Sequence, residues 1–173
     1  MSAAGKEYTL GVLVQANYGR REHLTIAGVP VGREITDIMP ETRPVDPRPG
    51  SGSIIGVAAT DAPLLPHQLR RLARRLPLGL ARVGGQGRNT SGDIFLVFST
   101  ANPGAGRREG HAALTMLSND EMNPLFEAAI QSTEESIVNA LLAAETMTGI
   151  NGNTVHALPH DRLMDAMRKY GRG

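Results

Sequence analysis

A hydroxyl residue that follows an exposed glycine and opens an apolar strand can attack the carbonyl just before it. Gly52-Ser53 has this arrangement, with prolines at 40, 44, 47 and 49 upstream and the apolar run 53–60 (SIIGVAAT) downstream. Gly52 has no side chain, which leaves its carbonyl approachable and admits backbone angles closed to other residues. If the Gly52–Ser53 bond breaks by an N→O acyl shift, Ser53 becomes a new N-terminus. Its free α-amine, with a typical pKa of about 7.7–8.0, can then act as general base beside its own hydroxyl. Gly-Ser is also ordinary turn chemistry, and on spacing alone the turn is the simpler reading.

Other constellations are weaker. No G-x-S-x-G surrounds Ser51, Ser53 or Ser91, and neither H-E-x-x-H nor G-x-x-x-x-G-K-[ST] occurs. Gly85-x-Gly87-x-x-Thr90 is half of a dinucleotide fingerprint, but it follows a helical pattern instead of a strand and lacks the last glycine. Zero cysteines exclude a disulfide framework, a thiol nucleophile and any cysteine-ligated metal. His156 and His160 are four apart, but Pro159 interrupts a shared helix, so no metal site and no cofactor are expected. Arg70, Arg71, Arg74 and Arg75 are read as the wet face of an amphipathic helix in preference to a nucleic-acid patch. With three Phe, three Tyr and no Trp, there is little to stack on bases. No nucleic-acid partner is expected. No apolar stretch reaches membrane-span length and the start lacks the apolar core of a signal peptide, so the expectation is a cytoplasmic protein without membrane contact.

These residues need elements to hold them. Leu10, Val12, Leu13 and Val14 predict a buried strand over 9–17 that ends at Asn17, where an asparagine by itself reads as a turn residue. Residues 23–26 and 29–31 predict a second, broken strand. The proline density of 38–52 excludes helix and central strand and predicts an extended connection. A buried strand is expected over 53–60, with Asp61 as a turn or cap. Pro66 opens a helix with Leu69, Leu72, Ala73 and Leu76 on one face. The glycines from 79 to 92 predict a loop. Five apolar residues in a row over 93–100 (DIFLVFST) predict a strand buried on both faces, which Asp93 enters. Asn123-Pro124 predicts a helix start, with Ser132 to Glu135 as an internal restart and Glu134 and Glu135 at a positive helix end. A short strand over 154–158 and a last helix over 159–170 complete an α/β (α+β) pattern. The net charge of +1 conceals +5 over residues 1–110 and −4 over 111–173. That is no polybasic protein.

The stretches GVLVQAN (11–17) with Tyr18-Gly19, GVPVG (28–32) and GSGSIIGVAATDAPL (50–64) resemble the L-aminopeptidase D-amidase/D-esterase family, known as DmpA-like and including β-peptidyl aminopeptidases. Residues 65–80, GDIFLVFSTAN (92–102) and TEESIVNALL (133–142) extend the resemblance, in order, over nearly the whole chain. It implies an autoprocessed serine aminopeptidase or amidase-esterase acting after the N-terminal residue of small peptides, amides or esters. The implied fold is part of a four-layer α-β-β-α sandwich. Carried onto this sequence, Gly52–Ser53 is the scissile bond and Ser53 is the nucleophile and α-amine base. Asn17 matches the asparagine of the oxyanion hole, a donor type worth about 2.7–4 kcal/mol in related chemistry. Ser91 matches a serine that orients the Ser53 hydroxyl, and Asp93 an acid that holds Ser91 or the ammonium. Some members have Glu at that position, one methylene longer.

The resemblance also divides the chain. Residues 1–52 match the tail of the family's α part, with the cleavage loop at 38–52, and 53–173 match its β part. In the family a further segment of about this chain's length precedes the first of these strands. It carries a tyrosine that Tyr18 does not evidently replace. Without it, open edges and apolar faces are expected, met by a homo-oligomer or by an N-terminal partner segment. The rivals to the hydrolase are a catalytically silent fragment or split subunit and a related acyltransferase. Preference for L-, D- or β-amino acids is not legible.

Overall fold

The three apolar runs of the sequence pair into one sheet in the computed structural model, which describes residues 1–41 and 52–172. A small ribbon of β1 (Ser2–Ala3) and β2 (Lys6–Glu7) leads into β3 (Leu10–Asn17). A 3-10 turn at Arg21–His23 and the short helix α1 (Val31–Glu34) follow. β4 (Ser53–Thr60) is the middle strand, antiparallel to β3 and parallel to β5 (Ile94–Ser99). Parallel strands need a crossover, and here it is built from α2 (Pro66–Ala73) and α3 (Leu76–Arg82). The long helix α4 (Asn123–Ala143) lies with them on one face of the sheet. A ribbon of β6 (Met147–Thr148) and β7 (Thr154–Val155) and the helix α5 (His160–Lys169) end the chain. Among the described residues no helix is long and apolar enough to cross a membrane.

The core lies between the helices and one sheet face. Ala58, Leu72, Leu76, Met122, Leu125 and Ala129 are fully buried there, and Ile54 packs with Leu80, Val83 and Ile137 toward the other end. A smaller cluster of Ile26, Val29, Val31, Ile35 and Leu163 fastens α5 to the segment around α1.

Several sequence expectations are corrected by packing. The strand over 23–31 is absent. Ala27 and Gly28 both take positive φ (49° and 80°), so Ile26 and Val29 meet in one bridge across a tight turn, and α1 begins directly after Pro30. Gly79 does not start a loop but sits within α3. A Cβ there would lie 2.4 Å from the Ile130 carbonyl oxygen, so glycine is what lets α3 and α4 approach. The helix from Asn123 runs unbroken past Ser132, whose carbonyl accepts from Ser136 Oγ at 2.6 Å, and Glu134 sits mid-helix in an ion pair with Arg82 at 2.9 Å. Asn123 makes no cap bond, because a 3-10 turn at Asn119–Met122 leads into it. The strand expected over 154–158 is only two residues long.

The largest correction concerns burial. β3 and β5 were expected to be buried, β5 on both faces. Instead Leu13 is 74% exposed, Ile94 59% and Leu96 56%, with Ile55 and Phe98 beside them. Helices cover one face, so alternate residues of every strand look outward. Of the connection at 38–52, residues 42–51 lie outside the described residues; Glu41 bridges to Thr154 of β7.

Candidate active site at the strand ends

Strand register places the first candidate pair. Ser53 opens β4 and stands directly opposite Asn17, the last residue of β3. Residues so paired project to the same face of a sheet, with Cβ atoms about 4.5–5.5 Å apart. This is the face without helices, since the next residue, Ile54, is buried beneath them.

The loop before β5 closes over the other side of Ser53. Gly92 donates its backbone N–H to Ser53 Oγ at 3.0 Å. Ser91 Oγ donates to Asp93 Oδ1 at 2.6 Å, and the same oxygen accepts the N–H of Ile54 at 3.0 Å. One carboxylate therefore ties the serine of the loop to the residue following Ser53. Within this loop Ser91 N–H donates to the Arg88 carbonyl at 2.8 Å, a turn that fixes the approach to the site.

Two glycines suit this geometry. A Cβ on Gly52 would lie 2.6 Å from the Asn17 carbonyl oxygen and 3.2 Å from Tyr18 Cα, so the bond ahead of Ser53 is pressed against the end of β3. A Cβ on Gly92 would lie 3.2 Å from Ser53 Oγ and crowd the hydroxyl. Tyr18, half-buried beside these groups, has its phenol pushed up to about 12, by burial first and by the charge of Asp93 second. It stays a neutral hydroxyl at any working pH.

The cavity at this end encloses about 380 Å³ and is lined by Asn17, Gly52, Ser91 and Asp93 together with Tyr18 and the loop at 84–90. The structure thus gathers all the sequence-derived candidates, Ser53, Asn17, Ser91, Asp93 and Gly52, at one place. The Ser91–Asp93 bond is one of the two contacts expected of Asp93; the difference lies at Ser53, whose oxygen meets the Gly92 amide and not Ser91. That amide was missed in the sequence, although its place between Ser91 and Asp93 in a glycine-rich loop was a signal. Chemically, the arrangement offers a hydroxyl oxygen held by one N–H, an amide side chain across from it and a carboxylate one residue away. In the uncut chain the Ser53 nitrogen is an amide, so it is no base.

Other candidates are occupied elsewhere. His156 Nε2 lies 3.1 Å from Glu41, and His160 Nε2 lies 2.9 Å from the Leu142 carbonyl. Among the described residues no three His, Asp or Glu gather as metal ligands. Arg71 and Arg75 of the basic run stack over the Phe126 ring at 5.3 and 3.9 Å, so half of that run binds α2 to α4. Asp61 Oδ1 accepts the Thr9 N–H at 2.7 Å, as a strand-end cap.

The sequence matches the family model described as peptidase family S58 over residues 1–155. It is 49% identical over 178 residues to the β-peptidyl aminopeptidase BapA of Sphingosinicella microcystinivorans, covering 97% of this chain and 45% of that protein. The enzyme of the same name from Sphingosinicella xenopeptidilytica is 45% identical over 177 residues, covering 97% and 44%. Among solved structures, the L-aminopeptidase D-Ala-esterase/amidase of Ochrobactrum anthropi superposes with a TM-score of 0.87 at 45% identity, over 99% of this chain and 46% of that one. That protein is described as a prototype for the serine aminopeptidases and a variant of the Ntn hydrolase fold. The chain spans about half the length of the relatives it matches.

Proposed function

We propose, from the premise that the chain belongs to peptidase family S58, that Ser53 is the nucleophile of a self-cleaving aminopeptidase of the Ntn-hydrolase type. The observation that carries this is the Ser53 hydroxyl: it faces Asn17 across the strand pair, takes the Gly92 N–H at 3.0 Å and follows a glycine packed against Asn17. In the first step Oγ attacks the Gly52 carbonyl carbon. The C–N bond breaks, the hydroxyl proton goes to the leaving nitrogen, and an ester joins Gly52 to Ser53. Water then hydrolyses the ester, leaving a carboxylate on Gly52 and a free amine on Ser53.

The same oxygen then serves a substrate. The α-amine takes the hydroxyl proton, Oγ attacks the carbonyl after the substrate's N-terminal residue, and the proton passes to the leaving amine. Water releases the acyl group. The Asn17 side-chain amide stabilises the oxyanion, while Asp93 positions Ser91 and the start of β4. Substrates are small peptides, amides or esters. Mass spectrometry of the purified chain tests the first step: fragments 1–52 and 53–173 are expected, and Ser53→Ala leaves one intact chain. Cleavage at this bond in the Ser53→Ala protein would overturn the assignment.

The apolar open face carries a second element of this reading. Leu13 on β3 and Ile94, Leu96 and Phe98 on β5 stand exposed on the sheet face that carries Ser53 and Asn17, a patch of the kind that marks an interface. Full activity therefore requires this face to be covered, by a segment corresponding to the other half of the longer relatives or by a second copy. Sedimentation and aminoacyl-p-nitroanilide assays with and without such a segment separate these cases.

A further inference from the structure

The cavity beside Ser53 has a cationic wall that the cleavage chemistry does not use. Arg20 precedes the 3-10 turn after β3 and His23 ends it, and Arg88 sits on the loop before β5; all three line the cavity that holds Asn17, Ser91 and Asp93. The two segments are locked together. Gly84, at φ +91°, lies where a Cβ would be 2.0 Å from the His23 carbonyl oxygen, so the loop can rest on the turn only because residue 84 is glycine. Glu22 registers the resulting field: its carboxyl is held below the usual range first by its own backbone hydrogen bond and then by His23, Arg20 and Arg88.

Among the described residues the two arginines are weakly satisfied. Arg20 faces Glu22 at 3.8 Å with more than half of both side chains exposed, well beyond the 2.7–2.9 Å of a strong charged hydrogen bond. Arg88 donates to the neutral Gln86 at 3.3 Å. The acidic residue among the described lining is Asp93, and its Oδ1 already accepts from Ser91 and Ile54. The cavity, about 380 Å³, has room for a dipeptide-sized molecule.

We propose that Arg20 and Arg88 hold a substrate carboxylate, so that the site favours dipeptide-sized molecules with a free terminal carboxylate over the corresponding amides. This rests on the reading of Ser53 as the nucleophile of the same cavity. Guanidinium groups suit the role because they bind carboxylates through paired N–H donors and remain charged at any working pH.

The experiment is a calorimetric titration of the full chain with 5-aminopentanoate and with 5-aminopentanamide, which have the length of glycylglycine and lack its internal peptide bond. The acid is expected to bind at least tenfold more tightly at low salt. The ratio falls toward one in the double variant Arg20→Gln/Arg88→Gln, checked for native circular dichroism, and in the wild-type chain at high salt. Equal affinities in the wild-type chain overturn the proposal, and that is also the result if the Gly52 carboxylate released by cleavage occupies the arginines. A preference that survives in the folded double variant overturns it too, as does failure of the acid to bind. Self-cleavage is read separately by mass: its loss with acid preference retained sinks only the nucleophile reading, and the converse sinks only this one.

Discussion

The two faces of the central sheet are made by the same strands yet differ in nearly every physical respect. Under the helices, Ile54, Ala58 and Thr60 of β4 are almost completely buried, and glycines at 56 and 79 let neighbours pack close. On the other face, Leu13, Ile55, Ile94, Leu96 and Phe98 are exposed, and the same side carries Ser53 and Asn17. The buried core is thus concentrated on one side and the candidate site on the other. The difference teaches that burial belongs to what covers a strand, not to its composition: β5 is apolar from Ile94 to Phe98, yet Ile94, Leu96 and Phe98 are exposed and of these five residues Val97 alone is buried.

The sharpest break in this comparison is Ser53→Ala. Self-cleavage is expected to vanish, read by mass, while thermal stability changes by no more than about 0.5 kcal/mol, since this change is small and lies outside the core. Next comes Leu76→Ala beneath the sheet, where the side chain is fully buried. A loss of about 2–5 kcal/mol is expected in urea unfolding, and a loss below 1 kcal/mol would show that the helical face is not the main core. Gly52→Ala tests the junction between the faces. Its Cβ would lie 2.6 Å from the Asn17 oxygen, and self-cleavage is expected to slow by at least about tenfold, or ~1.4 kcal/mol of barrier.

Smaller effects are expected on the open face. Leu96→Ser is expected to change stability by about 0.5 kcal/mol or less while lowering binding of a hydrophobic dye, because the residue is already 56% exposed. A large destabilisation would mean that something covers it in solution. Last, ultraviolet titration is expected to show one tyrosine ionising at about 12, a transition that Tyr18→Phe removes. Tyr18 connects the faces: it follows Asn17 but packs against the cluster around Ile54 and Ile137.

Much of this was legible along the chain. The apolar run 53–60 became β4 with the same bounds, and Pro66 does open a helix. Ser53 stood out because a hydroxyl opens a strand after glycine, and the resemblance selected Asn17, Ser91 and Asp93. What could not be read was the partner of each group. Gly79 looked like a breaker because nothing local reveals a carbonyl of another helix 51 residues away. The Arg20 and Arg88 pair was invisible because their shared cavity depends on Gly84 resting on His23. Arg71 and Arg75 read as solvated because the Phe126 ring that receives them lies on α4.

By itself, then, the sequence determined the strand over 53–60, the helix that Pro66 opens and where a scissile bond could lie, because these depend on local periodicity and residue type, while the resemblance pointed to the side chains that could act on that bond. Tertiary structure alone decided the register that sets Ser53 opposite Asn17, the Gly92 amide that holds the hydroxyl, and which face of an all-apolar strand meets water. The reason is distance. Each of these rests on contacts between residues dozens of positions apart, and such contacts exist only once the chain has closed on itself.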